Sequence, residues 1–264
     1  MFVVFRVNRR YLALAVAVAS FVVLVLAGDL LDRAISVFKA SRRLPIYSVA
    51  TEEKKVALTF DAAWGAERTP RILEILRETE VKATFFLVSF WVDDYPEMAR
   101  RIAEEGHEIG LHSTTHPDMT TLSREDIIWE LEENRRIIEE VTGRRPWLFR
   151  PPFGAYSDRL LAVVEDELGL VTIQWDVDSL DWHDLSGPAM VQRVTQRVKP
   201  GSIILFHNNG KHTPEALPGI ISYLRAQGYE MVPVSELLHK GEYYIDHQGR
   251  QVAKPGSSLE VNPR

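Results

Sequence analysis

The chain has no cysteine among its 264 residues. A disulfide framework, a thiolate metal site and a cysteine nucleophile are therefore all excluded. The sequence also shows no internal repeat. Its length suffices for one large domain or two small ones, with a sizeable buried core in either case.

Basic residues are scarce in most of the chain. Residues 44–264 carry 24 Lys and Arg against 35 Asp and Glu, a net charge of −11. Such an acidic body argues against a nucleic-acid-binding domain. It identifies no other partner by itself, because acidic surfaces commonly serve solubility.

The one long hydrophobic run lies near the N-terminus. Tyr11 to Gly28 carries no charge and follows three arginines. As a helix it would span about 27 Å, close to a thin hydrocarbon core. The preceding arginines predict a body outside the cytoplasm. We interpret residues 1–28 as a membrane anchor of a single-pass protein. The alternative is a cleavable signal peptide ending at Val25-Leu26-Ala27, which would release a secreted body.

The remainder divides into a predicted linker at residues 29–53, a folded domain at 54–240 and a polar tail at 241–264. In the domain, short apolar runs alternate with amphipathic stretches. The predicted strands are Val56–Phe60, Ala83–Val88, Glu108–Leu111, Leu148–Arg150, Val171–Trp175, Ser202–Phe206 and Glu230–Val232. The predicted helices are Pro70–Glu78, Pro96–Glu105, Glu125–Val141, Asp158–Leu168, Ala189–Val198, Glu215–Gln227 and Ser235–Leu238.

This alternation predicts the α/β class. About seven β/α units favour a deformed (β/α)-barrel with about seven parallel strands, preceded by one N-terminal transmembrane helix. A doubly wound open sheet is the alternative. In both architectures ligands bind at the carboxyl ends of the strands.

Polar side chains follow five of the predicted strands. Asp61 follows the first, and the remaining groups are His112 to His116, Arg150 to Gly154, Asp176 to Trp182, and His207 to Gly210. Because the carboxyl ends of barrel strands share one face, these groups are expected to converge on one site.

His112 and His116 form the strongest single pair. Their i, i+4 spacing would place both imidazoles on one side of a helical turn, as metal chelation requires. Imidazole suits Zn²⁺ and also Co²⁺, Ni²⁺ or Fe²⁺. The alternative is a pair of hydrogen-bonded loop histidines.

The other polar residues each have a catalytic and a structural interpretation. Asp61 suits a general base, a metal ligand or a helix cap. His207 suits a general acid or a partly buried, hydrogen-bonded histidine. Arg150 would hold Asp61 ionised, which a structural salt bridge would also do. Asp178 or Asp181 would orient His207 and raise its pKa, or simply form a turn.

Two further features suggest how a substrate would be held. The Pro-Pro-Phe-Gly turn could aim the backbone N–H of Phe153 at a developing oxyanion. Trp182 lies beside the acidic cluster and is the best predicted groove residue, since sugar faces stack on exposed indoles. Trp64, Trp91 and Trp175 suit either the core or the groove.

Taken in order, these segments resemble the motifs of the polysaccharide deacetylase family, also called the NodB homology domain or carbohydrate esterase family 4. TFDAAWG resembles its first motif, usually TFDDG, and HSTTH resembles H-S/T-x-x-H/D. RPPFG, DSLDW and LFH resemble the third, fourth and fifth motifs. The resemblance covers about Lys54 to Leu238, and the first motif with the N-terminal hydrophobic segment looks most like the PdaB-type sporulation deacetylases.

The resemblance implies a metal-assisted removal of N-acetyl groups from amino-sugar units of peptidoglycan or a chitin-like polymer. It implies that Asp61 is the general base and His207 the general acid. The implied partners of these two residues are Arg150 for the base and Asp178 for the acid, with Asp181 as the fallback. His112 and His116 match metal ligands, Phe153 the oxyanion position and Trp182 a groove residue.

One position departs from the family pattern. The third metal ligand is usually the second Asp of TFDDG, and here that position is Ala62. Catalytic zinc sites usually have three protein ligands and a water. Glu67, Asp118 and His183 are conceivable substitutes, and the sequence selects none of them.

Two function classes therefore compete. The first is a deacetylase using a divalent metal, Zn²⁺ before Co²⁺ or Ni²⁺, on an N-acetylated glycan. The second is an exported, non-catalytic wall-glycan-binding protein that has lost full metal binding. A hydrolase of another amide or ester is a further alternative. The expected partners are the glycan and, through the N-terminal helix, the membrane, with no nucleic acid.

Overall fold

Seven parallel strands form the central sheet of the domain. A computed structural model describes residues 42–254. The strands of the sheet are β2 (Lys55–Ala62), β3 (Thr84–Leu87), β4 (Glu108–Leu111), β5 (Leu148–Phe149), β6 (Val171–Thr172), β7 (Val177–Asp178) and β8 (Ile203–His207). Their spatial order is β6-β5-β4-β3-β2-β8-β7, and β9 (Glu230–Met231) pairs beside the start of β2. The predicted α/β fold with about seven parallel strands is confirmed.

The sheet is curved into a half-barrel rather than spread as an open doubly wound sheet. The predicted strand Val171–Trp175 is shortened to the two-residue strand β6, and β7, which was not predicted, follows at the opposite edge of the sheet. Only residues 173–176 connect them, and four residues span at most about 14 Å. The two edges therefore lie close together. Ile46 bridges to Ile173 at this seam.

Helices follow most of the strands. They are α1 (Thr69–Glu78), α2 (Ser89–Asp94), α3 (Pro96–Glu104), α4 (Arg124–Thr142), α5 (Asp158–Ala162, continued by a π-helical turn to Glu167), α6 (Gly187–Thr195), α7 (Thr213–Ala226) and α8 (Val234–Leu237). All seven predicted helices are present, with shifted ends. The short helix α2 was not predicted, because six residues are too few to show a period.

The alternation of side chains along β2 separates two cores. Val56, Leu58 and Phe60 pack outward against the helices, while Ala57 belongs to the interior cluster. Asp61 lies on the same face as Ala57, since every second residue of a strand points the same way. The strand therefore delivers one carboxylate to the upper end of the barrel interior.

The segments flanking the barrel differ from the prediction. Residues 241–264 were predicted to be a trailing tail, but β10 (Tyr243–Ile245) and β11 (Arg250–Ala253) form a hairpin. β11 also pairs with β1 (Ser48–Val49), which lies in the predicted linker. The hairpin is held by Gln251, whose buried amide exchanges hydrogen bonds with the backbone of His239 at 2.8 and 3.2 Å.

The predicted transmembrane helix at residues 11–28 lies outside the described residues. Among residues 42–254, no helix combines the length and apolar character needed to cross a bilayer. The anchor therefore stays a prediction from the sequence.

Gly110 on β4 makes room for a ring inside the barrel. A Cβ atom at this position would lie 2.4 Å from the Phe86 ring. We expect Gly110→Ala to lower the free energy of unfolding by about 1–3 kcal/mol through overpacking, measured by urea denaturation.

The matched control is the double variant Gly110→Ala, Phe86→Leu. The smaller side chain makes space for the added methyl group, so the two effects should be less than additive. Additive losses would show that the ring does not oppose a larger residue at position 110.

Candidate active site

A cavity of about 670 Å³ opens at the carboxyl ends of the strands. Every predicted site residue except Arg150 lines it directly, and Arg150 lies beneath it, fully buried. The lining residues that carry the argument below are Asp61, Trp64, Arg68, His112, His116, Phe153, Asp178, Asp181, Trp182, His207 and Lys211. The predicted convergence of the five polar segments is thus confirmed.

Asp61 forms a buried ion pair with Arg150. The Arg150 Nη1 donates to Asp61 Oδ1 at 2.8 Å. Burial alone would raise the pKa of Asp61, but neighbouring cationic groups, Arg150 foremost, outweigh it and hold that pKa below its usual range. The carboxylate is therefore ionised at neutral pH, as a proton acceptor must be.

Arg150 is itself fixed by contacts on three sides. Its Nη1 also donates to Thr59 Oγ1 at 2.9 Å, and its Nη2 donates to the carbonyl of Gln174 at 3.0 Å. The guanidinium carbon lies 4.2 Å from the centre of the Phe86 ring. A planar cation stacked on an aromatic face suits arginine and not lysine.

His112 directly follows β4, and its ring is held in one orientation. Its Nδ1 lies 2.7 Å from the carbonyl oxygen of Arg150, so Nδ1 carries the proton and donates it. Its Nε2 lone pair faces the cavity, 3.6 Å from Asp61 Oδ2. Burial lowers the pKa of His112, which keeps the ring neutral. At protein metal sites, a ligating histidine commonly donates its other ring N–H to a carbonyl or carboxylate, as His112 does here.

His116 lies beside His112, but the backbone between them differs from the predicted helical turn. The segment after β4 is an irregular loop and not a helical turn, and both Ser113 and His116 have positive φ values of 73° and 58°. The two rings nevertheless meet with centroids 5.0 Å apart. The i, i+4 spacing thus predicted that the two rings lie together, but a loop brings them together and not the predicted helical turn. Pro117 disfavours the helical conformation for the residue before it.

The ring of His116 has an unsatisfied nitrogen. Its Nδ1 is buried without a hydrogen-bond partner among the described residues. Burial, and then the neighbouring His112 ring, lowers the pKa of His116 to about 4. Trp64 and Phe153 pack edge-on against this ring at centroid distances of 4.8 and 4.6 Å.

Buried side chains of α4 hold the loop between the two histidines. Glu130 Oε2 accepts hydrogen bonds from the backbone N–H groups of Thr114 and Thr115 at 2.7 and 2.9 Å. Asn134 Oδ1 accepts from the His112 N–H at 3.1 Å. Sequence reasoning missed both residues. Their signal was polar residues, spaced i, i+4, on the otherwise apolar face of an amphipathic helix.

Among residues 42–254, the two histidines have no third protein ligand beside them. Ala62 is fully buried and has no donor atom. Within residues 42–254, no group of three or more His, Asp and Glu side chains is arranged to hold a metal ion. Asp118 caps the turn to Thr120, and His183 stacks against Trp182 with ring centroids 3.7 Å apart. Neither Asp118, His183 nor Glu67 supplies the missing ligand.

His207 ends β8 directly beside Asp61. The two residues are register partners across the β2–β8 ladder. The Nδ1 of His207 lies 2.7 Å from Asp181 Oδ1, and its backbone N–H donates to Asp181 Oδ2 at 2.7 Å. Burial opposes protonation, but the hydrogen bond and charge of Asp181 prevail and raise the pKa of His207.

The preference for Asp178 as the partner of His207 is corrected by this contact. Asp178 Oδ1 instead accepts from the backbone N–H of Leu180 at 2.8 Å and stabilises the turn. The turn places the next carboxylate, Asp181, beneath the imidazole. Thr213, which the sequence gave no reason to select, donates to Asp181 Oδ2 at 2.8 Å.

The turn after β5 is held in an unusual backbone conformation. Phe153 has φ 60°, which a residue with a side chain rarely adopts. Gly154 follows with φ 66°, and a Cβ there would lie 2.8 Å from Trp175. The carbonyl of Gly154 accepts from Gln174 Nε2 at 2.8 Å. Phe153 thus lines the cavity with a 68% exposed ring.

Exposed indoles flank the cavity. Trp182 and Trp64 are 57% and 63% exposed and both line it. Trp91 is fully buried and donates to the carbonyl of Gly65 at 2.7 Å, so it belongs to the core. Trp175 lies over Arg150, 5.4 Å from ring centre to guanidinium carbon.

The Asp181–His207 contact gives a direct prediction. Removing the Asp181 charge should lower the pKa of His207, because the largest effect opposing burial is lost. An NMR pH titration of the His207 ring in Asp181→Asn measures this. Since the folded pKa is raised, stability from this pair is complete below the unfolded pKa and is lost as pH rises through the folded pKa.

Asp178→Asn is the matched control, one turn away and also acidic. It should shift the His207 titration less than Asp181→Asn does. An equal or larger shift in Asp178→Asn would restore the original assignment.

Comparison with known proteins agrees with this geometry. The polysaccharide deacetylase family model matches residues 48–172. The peptidoglycan-N-acetylmuramic acid deacetylase PdaA of Bacillus subtilis is 34% identical over 196 residues, which are 73% of this chain and 74% of PdaA. The peptidoglycan-N-acetylglucosamine deacetylase PgdA of Listeria monocytogenes is 34% identical over 81% of this chain. The match spans 46% of PgdA, about half its length.

A solved structure adds a different relative. BA3943 of Bacillus anthracis, described as a CE4 family pseudoenzyme, is 38% identical with a TM-score of 0.71, covering 80% of this chain and 73% of that one. A mutant of it, described as having restored enzymatic activity, is 41% identical with a TM-score of 0.70, covering 73% and 70%. With PdaA among its relatives, the chain fits the PdaB-type resemblance, and it belongs to the polysaccharide deacetylase family, carbohydrate esterase family 4.

Proposed function

We propose that this cavity binds an amino-sugar unit of peptidoglycan and hydrolyses its N-acetyl group. The observation that carries the proposal is the pairing of Asp61 with His207. Neighbouring strands place an ionised carboxylate and a histidine of raised pKa side by side at the floor of one cavity. Amide hydrolysis needs one group to accept a proton and another to donate one.

The reaction follows from these two protonation states. Asp61 accepts a proton from a water molecule, and the oxygen of that water attacks the acetamide carbonyl carbon. The carbonyl becomes a tetrahedral oxyanion, to which the backbone N–H of Phe153 would donate. His207 then gives its proton to the amide nitrogen, and the C–N bond breaks. The products are acetate and a free sugar amine.

Arg150 acts through Asp61, and Asp181 acts through His207. Arg150 keeps the Asp61 carboxylate ionised and fixes its orientation. Asp181 accepts hydrogen bonds from the Nδ1–H and the backbone N–H of His207. The proton that His207 donates is therefore the second proton of the imidazolium, carried by Nε2. Trp182 would stack against a neighbouring sugar of the polymer.

The family implies a divalent metal cofactor, and the residues present here supply only part of a metal site. His112, with its lone pair free, and His116, with its orphaned nitrogen, would hold Zn²⁺, or else Co²⁺ or Ni²⁺. When bound, such an ion would polarise the carbonyl and lower the pKa of a water molecule. Two imidazoles fall short of the three protein ligands of a catalytic zinc site.

The missing ligand favours a second candidate function. The site would then bind wall glycan without turnover, as the similarity to the pseudoenzyme BA3943 also suggests. We further propose, from the hydrophobic segment at residues 11–28, that the body acts outside the cytoplasm, either anchored or secreted. A role in sporulation is part of the same proposal.

Acetate release decides between the two functions. We expect the full-length chain to release acetate from acetylated chitooligosaccharides or peptidoglycan, with more release on adding Zn²⁺ and less with a chelator. Asp61→Asn and His207→Ala should each reduce the rate at least 100-fold, the usual contribution of a general base or acid. Asp94→Asn and His247→Ala, exposed and outside the cavity, are the controls. Glycan binding without acetate release would establish the second function.

Ala62→Asp tests the metal deficit directly. The added carboxylate should raise bound metal to one ion per chain, measured by elemental analysis, and should increase acetate release. Without metal it should destabilise the chain, because an extra charge would be buried. An Ala62→Asp chain with tight metal but unchanged activity would show that the third ligand does not limit the reaction. Ala62→Asn, of equal size but without the charge, is the matched control.

A further inference from the structure

Two cations of the cavity have no role in the chemistry described above. Arg68 precedes α1 and Lys211 lies between β8 and α7, and both line the cavity. Neither forms an ion pair with a carboxylate in the part of the chain that the structure describes. Two cations that lack an acidic partner and line the same cavity are available to bind an anionic ligand.

The two cations are tied to the reacting residues by a shared set of contacts. Arg68 Nη1 donates to Asn209 Oδ1 at 3.1 Å, and Asn209 follows His207 by two residues. The adjacent Asn208 donates from Nδ2 to the carbonyl of Gly65 at 2.7 Å, and its N–H donates to the carbonyl of Asp61 at 3.0 Å. The loop that carries Lys211 is thereby held against the segment that carries Arg68.

The acids that line the cavity do not cancel these charges. Asp61 is paired with Arg150, and Asp181 with His207. Asp178 is the last residue of β7 and accepts a hydrogen bond from the N–H of Leu180, and Asp184 lies in the segment that follows β7. The side of the cavity formed by residues 68 and 209–211 is the cationic side.

The chemistry of amino sugars supplies an anion at the right place. The acetamide is carried by C2 of the ring, and C3 is the next carbon. A group attached to the C3 oxygen therefore lies beside the reacting acetamide. In muramic-type sugars this group is a lactyl ether that ends in a carboxylate, whereas in plain glucosamine it is a hydroxyl.

We propose that Arg68 and Lys211 bind the lactyl carboxylate of an N-acetylmuramic-type sugar. This inference rests on the proposed function, and it names which sugar of peptidoglycan occupies the reacting position. Arginine offers a planar fork that matches a carboxylate, and lysine adds a second charge on a flexible stem. Arg68 and Lys211 would thus set specificity without taking part in proton transfer.

The test compares two disaccharides that differ only in the lactyl group. One is β-1,4-linked N-acetylglucosamine with N-acetylmuramic acid, and the other is N,N′-diacetylchitobiose. Binding to the full-length chain is measured by calorimetry, and acetate release is recorded separately. We expect the muramic disaccharide to bind about tenfold more tightly or better, the size of one charge-assisted hydrogen bond. Its neutral methyl ester should lose this preference.

Variants assign the preference to the two cations. Arg68→Gln and Lys211→Gln should each remove most of the preference and leave diacetylchitobiose binding unchanged, while Arg68→Lys should keep part of it. Arg100→Gln on α3 and Lys240→Gln are matched controls at exposed positions outside the cavity. Neither should alter the preference.

Several outcomes would overturn the proposal. They are equal binding of the two disaccharides by the unmodified chain, equal binding of the methyl ester and the free acid, or a parallel loss for both sugars in the Gln variants. A preserved preference without acetate release would refute the deacetylase function alone. Acetate release without any preference would refute only the assignment of Arg68 and Lys211.

Discussion

The buried pair of Asp61 and Arg150 is the constraint on which the site depends. A guanidinium fully enclosed in a barrel is costly unless its hydrogen bonds and charge are compensated. Here compensation comes from Asp61, Thr59 and the carbonyl of Gln174. The carbonyl of Arg150 in turn orients His112. Loss of this one cation would leave a carboxylate buried without its partner and would remove one of the charges that lower the pKa of His112.

The proposed chemistry has two parts, proton transfer and metal binding, and Ala62 affects only the second. The proton-transfer half is complete, since Asp61 and His207 are held by Arg150 and Asp181 in complementary charge states. The metal half consists of two well-oriented imidazoles with no third donor among the described residues. The side chain at position 62, at the end of β2, is therefore the point on which the two proposed functions differ.

Sequence patterns predicted the strands and helices that have clear periods and the five segments that meet in the cavity. They could not predict β7, because a two-residue strand has no period to detect. They could not distinguish Asp178 from Asp181, since either carboxylate is close to His207 in sequence order and only the turn decides which faces it. Thr213 contributes through a contact between distant segments, which no local pattern encodes.

The short crossing at residues 173–176 has a consequence for association between molecules. An open parallel sheet would present two long rows of unpaired backbone groups to other chains. In this domain both outermost strands of the sheet, β6 and β7, are only two residues long, and Ile46 pairs with Ile173 where they approach. The curvature that gathers the catalytic residues thus also removes the templates on which strand-by-strand aggregation would begin.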